Sequence, residues 1–392
     1  MSRVILKELR LRNFRAFSDA RLVLDDVTFL VGRNGAGKST LMDAFSFVSE
    51  AVTDSLSTAF ERRGSFLGLL PRHLRRVARS GISVAVRLEF ESKFPVLYGF
   101  TVALDPGKSG YVVKREVLRS EHGPSFERAA NGFESKILSI KPALDPETLV
   151  FPLIAGSNST WKTIIEALRL ISFHQFSPEA IRSEPKIGSE ERLSRDGRNA
   201  GDVLKRLKRT DRKWIEQYLA VAVPGIRDIS TDTVVGRRVI VFHQQGNAGH
   251  AEGFDASMMS DGTLRSLGIL LALRQTPRPS VVLIDEIEDS LYPFAHGVLL
   301  DAIDEASDDF PVVVSTHSPE ILTHPTARPD RIRVIQWKEG MSRIYSLSEN
   351  VQANLNPPLT VGELLRSNAL WTADEPSTIG AEDDFFQLTY NV

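Results

Sequence analysis

A glycine-rich segment at residues 32–40 constrains the fold of this chain more than any other part of the sequence. It matches the pattern G-x-x-x-x-G-K-S, in which successive backbone N–H groups surround the oxygens of a bound phosphate. The apolar residues 27–31 before it predict a buried strand, and apolar residues at helical spacing follow it. Strand, loop and helix in this order predict a nucleotide-phosphate site at the N-terminus of a helix.

The residue types in this segment indicate separate roles. The Lys38 ammonium supplies a positive charge to the β- and γ-phosphates, and the Ser39 hydroxyl is suited to binding Mg²⁺. The residues predicted to surround the phosphates are Asn34, Gly35, Ala36, Gly37, Lys38, Ser39 and Thr40.

A second apolar run, residues 281–284, ends in two carboxylates. In phosphate-loop nucleotidases a buried strand delivers an Asp that holds Mg²⁺, so Asp285 is predicted to take that role. Glu286 is placed to act as the general base on the attacking water. A third apolar run, residues 312–314, leads into His317. A lone histidine is usually structural, but its position at the end of a strand favours contact with the γ-phosphate.

A second anion site is predicted at residues 259–263. Ser260 and Gly262 open a strongly apolar helix, and a helix start of this kind favours negative charge. It lies far along the chain from the first loop, and the two half-sites cannot both face one nucleotide. This arrangement suggests that two chains share two nucleotides.

Composition restricts the partners. The net charge of −2 gives no overall signal for nucleic acid, so contact with DNA would have to come from local basic stretches. Two such stretches occur, at residues 62–79 and 205–213, and each is also open to interpretation as a solvated basic surface. The chain has no cysteine, which excludes disulfides and thiol nucleophiles and fits a cytoplasmic location. No apolar run is long enough to predict a membrane span.

Between the motifs, the periodicity changes. Residues 82–119 alternate between apolar and polar and predict an antiparallel meander. Residues 161–168 predict an amphipathic helix, and residues 204–222 predict a second one that ends before Pro224.

Five motifs in this order resemble the ABC-type ATPases of the SMC, RecF and OLD group, specifically short ATPases of the AAA superfamily without a long coiled coil. The resemblance covers roughly residues 1–350. It is carried by Asn13-Phe14-Arg15, the Walker A loop at 32–40, residues 259–263 in place of the ABC signature, Walker B at 281–286, and the switch-histidine segment 315–319.

The resemblance implies roles for further residues. Ser260, Asp261 and Gly262 would contact the γ-phosphate held by the other subunit, and Arg15 would reach the nucleotide. Gln175 is a candidate Q-loop glutamine and metal ligand, and residues 288–290 occupy the D-loop position. Asp261 departs from the transporter signature, which argues against a transporter subunit. The residues after His317 contain no Asp-x-Asp pair of the kind that a TOPRIM nuclease needs.

We therefore predict an α/β phosphate-loop ATPase head. Residues 1–120 are expected to form a first lobe with the meander, residues 121–229 a mainly helical insertion, residues 230–350 a second lobe, and residues 351–392 a C-terminal extension. ATP with Mg²⁺ would close two heads into a homodimer, and Lys38, Glu286 and His317 would carry out hydrolysis.

Two functions stay open from the sequence. The first couples ATP turnover to DNA-related work, in repair or antiviral defence, together with a separate nuclease or effector. The second is a protein-interaction scaffold that ATP regulates and that acts on a partner protein without contacting DNA.

Overall fold

The structure is a computed structural model that describes most of residues 4–379. Its gaps are residues 76, 78–80, 91–93, 106–109, 121–122, 130–131, 136–137, 139–144, 184–187, 189–190, 246–250, 350, 352–354, 356–358, 368–371 and 374. Arg76 and Arg79 of the first basic stretch and the end of the C-terminal extension therefore lie outside the described residues.

Seven strands of the described chain form an antiparallel sheet, here called the meander sheet, in the order β2-β1-β4-β5-β6-β7-β8. The strands are β1 (Val4–Phe14), β2 (Phe17–Val23), β4 (Gly81–Phe90), β5 (Pro95–Leu104), β6 (Tyr111–Ser120), β7 (Phe126–Ala129) and β8 (Gly132–Ser135). The alternating residues Ile82, Val84, Val86 and Leu88 of β4 all lie in the hydrophobic core, as the sequence predicts.

A second sheet, here called the core sheet, has the order β16-β15-β3-β14-β13-β9 within the described residues. Its strands are β3 (Val27–Val31), β9 (Ile171–His174), β13 (Val281–Ile284), β14 (Val312–Thr316), β15 (Ile332–Lys338) and β16 (Met341–Ser346). All except β16 run parallel to their neighbours. Parallel strands are covered on both faces, which explains why β3, β13 and β14 are continuous buried runs.

Helices cover the core sheet. They are α1 (Lys38–Thr53), α2 (Leu56–Glu61), α3 (Phe66–Leu69), α4 (Phe151–Ile154), α5 (Ser159–Arg169), α6 (Pro178–Arg182), α7 (Ala200–Arg206), α8 (Arg209–Ala222), α9 (Asp261–Arg274), α10 (Pro293–Ser307) and α11 (Val361–Arg366). On one face, Leu283 and Val313 pack in a single core with α1 and the meander sheet. On the other face, Val282 and Val314 pack with α9 and α10. No helix of the described chain is long and apolar enough to cross a membrane.

The range 121–229, predicted as a mainly helical insertion, contributes to both sheets. It contains helices α4 to α8, but β7 and β8 extend the meander sheet and β9 forms an edge of the core sheet. Each of these strands has four residues, which is too short for an alternating pattern to be recognised. A three-stranded sheet of β10 (Ile226–Val234), β11 (Arg237–Gln245) and β12 (Ala251–Asp255) follows.

Candidate nucleotide site

The phosphate loop lies between β3 and α1, at the carboxyl edge of the core sheet. Gly37 precedes the helix with φ of 115°, a left-handed conformation that favours glycine, and no side chain caps α1. A Cβ on Gly37 would lie 2.7 Å from the Ser342 hydroxyl, so the loop is also closely packed against β16. The first N–H groups of α1 are therefore available to an anion.

Lys38 points back into the loop. Its ammonium donates hydrogen bonds to the carbonyl oxygens of Gly32, at 2.7 Å, and Arg33, at 3.3 Å. Burial lowers the pKa of Lys38, and the charges of Asp285, Glu286 and Glu288 oppose that shift. Lys38 therefore lies within electrostatic range of these three carboxylates.

Asp285 is fully buried at the end of β13. The Ser315 hydroxyl donates to its Oδ1 at 2.5 Å, whereas the described residues provide no hydrogen-bond partner for its Oδ2. A buried carboxylate oxygen without a partner is unusual in a folded protein. Oxygen ligands and a retained water shell are what Mg²⁺ prefers, so Asp285 and the exposed hydroxyl of Ser39 fit this ion.

Glu286 has a left-handed backbone, with φ of 49°. The conformation is held from two sides: its N–H donates to the Ser315 hydroxyl at 2.8 Å, and its carbonyl accepts from Arg265 at 2.5 Å. Left-handed non-glycine residues are uncommon and persist only where their surroundings fix them, often at functional sites. The side chain is half-buried beside Asp285.

His317 and Gln175 follow neighbouring parts of the same sheet. His317 directly follows β14, and its Nδ1 lies 2.8 Å from the Oε1 of Glu288. Gln175 directly follows β9 and is exposed; its Oε1 accepts a hydrogen bond of 3.3 Å from Arg195. Parallel pairing of β9, β13, β14 and β3 brings Gln175, Asp285, His317 and the phosphate loop to one edge.

Arg15 lies in the turn between β1 and β2, with φ of 49°. Its guanidinium is 3.0 Å from Asp43, which lies one helical turn after Ser39 on α1. Arg63 also binds Asp43, at 2.8 Å, and its side chain is 4% exposed. Arg15 is therefore adjacent to the phosphate-binding helix, whereas Arg63 of the first basic stretch points into the protein.

The residues of the second predicted anion site lie at the start of α9. Ser260 is the N-cap, and its hydroxyl accepts a hydrogen bond of 3.2 Å from the N–H of Thr263. Asp261 is exposed and pairs with Arg182. A Cβ on Gly262 would lie 2.8 Å from the carbonyl oxygen of Ser290, so the signature segment packs directly on the D-loop.

Arg265 is a residue of this site that motif matching does not identify. It is 2% exposed, and its guanidinium donates to the carbonyls of Phe176, at 2.9 Å, and Asp285, at 3.0 Å, as well as to Glu286. The available signal in the sequence is a charge inside an otherwise apolar helical run. Arg265 connects the signature helix to Walker B and to the segment after β9.

Solved structures share this architecture. The SmcHead bound to the C-winged helix domain of ScpA aligns over 88% of this chain and 99% of its own, with 16% identity and a TM-score of 0.55. The Smc head domain with an extended coiled coil, bound to the C-terminal domain of ScpA derived from Pyrococcus furiosus, aligns over 90% and 98%, with 12% identity and a TM-score of 0.51. At this identity the likeness establishes the fold.

Part of the chain is similar in sequence to a known protein. The DNA double-strand break repair Rad50 ATPase of Archaeoglobus fulgidus is 34% identical over 89 residues, or 21% of this chain. The aligned part is 8% of that relative's length, so this chain corresponds to a small portion of it.

The fold and the motif arrangement define an ABC-type, SMC-like ATPase head, which confirms the predicted class. A family model described as "AAA domain, putative AbiEii toxin, Type IV TA system" matches residues 27–323. The chain belongs to that family.

Proposed function

We propose that this protein binds ATP with Mg²⁺ and hydrolyses it between two copies of the chain, and that turnover drives DNA-related work with a separate effector. The observation that carries the proposal is the Oδ2 atom of buried Asp285, which has no hydrogen-bond partner among the described residues and whose carboxylate acts electrostatically on Lys38. A carboxylate oxygen in that position would suit a hydrated cation such as Mg²⁺.

Each predicted residue has a part in the chemistry. The loop residues 34–40 bind the phosphate chain, and Lys38 leaves its contacts with the loop carbonyls to meet the phosphates. Ser39 and Asp285 would hold Mg²⁺, with Gln175 as a further ligand, and the ion would supply positive charge to the phosphate oxygens. Glu286 takes a proton from the attacking water, and His317 contacts the γ-phosphate. Arg15 reaches the nucleotide from the first hairpin.

The dimer explains the second anion site. Ser260, Asp261 and Gly262 complete the partner's site at the γ-phosphate, and the interface is two-fold and self-complementary. Exposed apolar side chains flank these residues in sequence and at the D-loop: Met258 is 67% exposed, Tyr292 is 78% exposed and Phe294 is 58% exposed. Such side chains on a surface favour burial against another protein surface.

DNA contact is proposed for the second basic stretch. Lys205, Lys208, Arg209 and Lys213 are exposed on and beside α8. In the first stretch, Arg63 is buried, and Arg62 lies 2.7 Å from Asp54 and 3.4 Å from Glu50. These contacts argue against DNA binding by Arg62 and Arg63. The second candidate function, an ATP-regulated scaffold for a partner protein, needs no DNA surface.

ATP turnover and size-exclusion chromatography test the core proposal. We expect the wild-type protein to hydrolyse ATP, Lys38→Ala to lose ATP binding, and Glu286→Gln to bind ATP, lose turnover and accumulate as a dimer. Turnover by Glu286→Gln at the wild-type rate would show that the base is assigned wrongly.

A second experiment separates the two candidate functions. DNA binding is measured across salt concentrations for the wild type and for a variant with Ala at residues 205, 208, 209 and 213. Binding that weakens with salt and is lost in the variant supports the DNA function, because each phosphate contact releases counterions. Absence of salt-dependent binding, together with ATP-dependent capture of one partner protein, supports the scaffold.

A further inference from the structure

Glu288 lies three residues beyond Asp285, in the D-loop that follows β13. One of its oxygens, Oε1, accepts a hydrogen bond of 2.7 Å from the backbone N–H of His317. The Nδ1 atom of the same histidine lies 2.8 Å from that oxygen. A single carboxylate oxygen therefore meets both the main chain and the ring of His317, which restricts the ring to one orientation.

The loops that carry the two residues are joined close to this contact. The N–H of Ile287 donates to the carbonyl of Ser315 at 3.2 Å, and the N–H of Glu286 donates to the Ser315 hydroxyl. The N–H of Ser318 donates to the Thr316 hydroxyl at 3.0 Å, which fixes the turn after His317. Hydrogen bonds thus hold the loops that carry Glu288 and His317, as precise positioning of a functional side chain requires.

The surroundings of the pair are asymmetric. The side chain of Glu288 is 10% exposed and that of His317 is 47% exposed. The second oxygen of Glu288, Oε2, is buried without a hydrogen-bond partner among the described residues. His296 of α10 is also buried, burial lowers its pKa, and the charge of Glu288 opposes that shift. Among the described residues, His317 is the polar partner of the Glu288 carboxylate on its exposed side.

We propose that Glu288 is the positioning residue of His317: it holds the imidazole with a proton on Nδ1 and so turns Nε2 toward the γ-phosphate. The role of Nε2 rests on the proposed function, whereas the geometry of the pair does not. A contact between Nε2 and a phosphate oxygen needs a donor on Nε2, which a ring protonated on both nitrogens supplies. In that form the ring would lie between two anions, the carboxylate that orients it and the phosphate.

The tautomer of His317 tests the proposal directly. Long-range ¹H–¹⁵N spectra of protein labelled at its 8 histidines distinguish protonated from bare ring nitrogens, and His317→Gln identifies the signal. We expect the wild type to carry the proton on Nδ1 in the neutral ring, and Glu288→Ala to move it to Nε2. Glu288→Met fills the same space without accepting a hydrogen bond, so it gives the same result if the alanine variant does not fold.

Glu320→Ala is the matched control. Glu320 is a carboxylate on the same turn, but it accepts from the Ser318 hydroxyl at 2.6 Å and from Arg366 at 2.7 Å rather than from His317. Glu320→Ala should leave the tautomer of His317 unchanged. A wild-type proton on Nε2, or a Glu288 variant that retains the wild-type tautomer, overturns the proposal.

Kinetics give an independent measurement. If the protein hydrolyses ATP as proposed, Glu288→Ala should lower kcat by about 10- to 100-fold, the range for removing the carboxylate partner of a functional histidine, with little change in KM. An unchanged kcat overturns the proposal. A wild-type protein without ATPase activity would contradict the proposed function, and the spectra would still decide whether Glu288 orients His317.

Discussion

The guanidinium of Arg265 donates a hydrogen bond of 3.0 Å to the carbonyl of Asp285, and so joins the signature helix to the Walker B strand. The same group donates to Glu286, the proposed base, whose left-handed backbone it helps to hold. A movement of α9 would therefore be transmitted to Asp285, the proposed metal ligand, and to Glu286, the proposed base. In the proposed dimer, α9 is the helix whose start contacts the partner's nucleotide.

Replacing Arg265 by Lys should impair turnover more than folding. An ammonium group keeps the charge but cannot serve the same set of carbonyls as a planar guanidinium. We expect kcat to fall about tenfold or more, and the free energy of unfolding to fall by about 1–3 kcal/mol because buried carbonyls lose partners. Steady-state ATPase rates and thermal melting measure the two effects.

Arg274→Lys is the control on the same helix. Arg274 lies over the Trp214 ring at 3.9 Å and 3.0 Å from Glu305, away from Walker B. Arg274→Lys should lower the free energy of unfolding and leave kcat unchanged. Equal kcat values for Arg265→Lys and Arg274→Lys would contradict the inference that Arg265 links α9 to the Walker B residues.

Gly262→Ala should weaken the ATP-dependent dimer. The added methyl group would lie 2.8 Å from the Ser290 carbonyl and must push the signature segment away from the D-loop. Overpacking of this kind costs about 1–3 kcal/mol. In a Glu286→Gln background, size-exclusion chromatography with ATP should show less dimer. Gly156→Ala, where a Cβ has open space, should leave the dimer intact.

Ser342→Ala should loosen the phosphate loop. The Ser342 hydroxyl is buried and donates a hydrogen bond of 2.6 Å to the carbonyl of Ala36. Losing it costs about 1 kcal/mol, which raises the Kd for ATP by about fivefold if the loop must reorder on binding. Titration calorimetry measures this change. Ser346→Ala, further along β16, should leave the Kd unchanged, and a wild-type Kd for Ser342→Ala would contradict the prediction.

His174 should make stability fall in mild acid. Burial lowers its pKa to about 3, with Ser172 at 2.7 Å from Nε2, so the folded state stays unprotonated while the unfolded state takes up a proton below a pH of about 6.5. The stability contribution is therefore complete above that pH and decreases as the pH falls toward 3. Between pH 7 and pH 5, the protonation of His174 in the unfolded state should lower the free energy of unfolding by about 2 kcal/mol.

Denaturant unfolding at pH 7 and pH 5 measures the difference. His174→Gln should be less stable than the wild type at pH 7. Its free energy of unfolding should fall by about 2 kcal/mol less than that of the wild type between pH 7 and pH 5. His73→Gln, an exposed position, should behave like the wild type. A pH dependence of His174→Gln equal to that of the wild type would contradict the prediction.

The sequence predicts the elements that carry the site because motif and strand coincide there. Residues 27–31, 281–284 and 312–316 are buried strands in the structure, and the helix expected after residue 260 is α9. Local chemistry determines these elements: β-branched apolar runs favour buried parallel strands, and serine favours an N-cap.

Tertiary contacts determine what the sequence does not predict. The single helix expected over 204–222 is divided into α7 and α8, because Leu207 and Lys208 adopt extended backbone conformations. Strand β9 has too few residues to stand out, although it carries Gln175 to the site. The pairing of Glu288 with His317 and the contacts of Arg265 join distant segments, so no local pattern reveals them.

Strand β16 touches two parts of the molecule through one residue. The amide of Ser342 donates to the carbonyl of Ala16 in the first hairpin of the meander sheet at 2.8 Å, and its hydroxyl reaches the phosphate loop. The phosphate loop is therefore joined through Ser342 to both the meander sheet and the core sheet. We therefore expect a ligand that moves the loop to shift the meander sheet and the core sheet together.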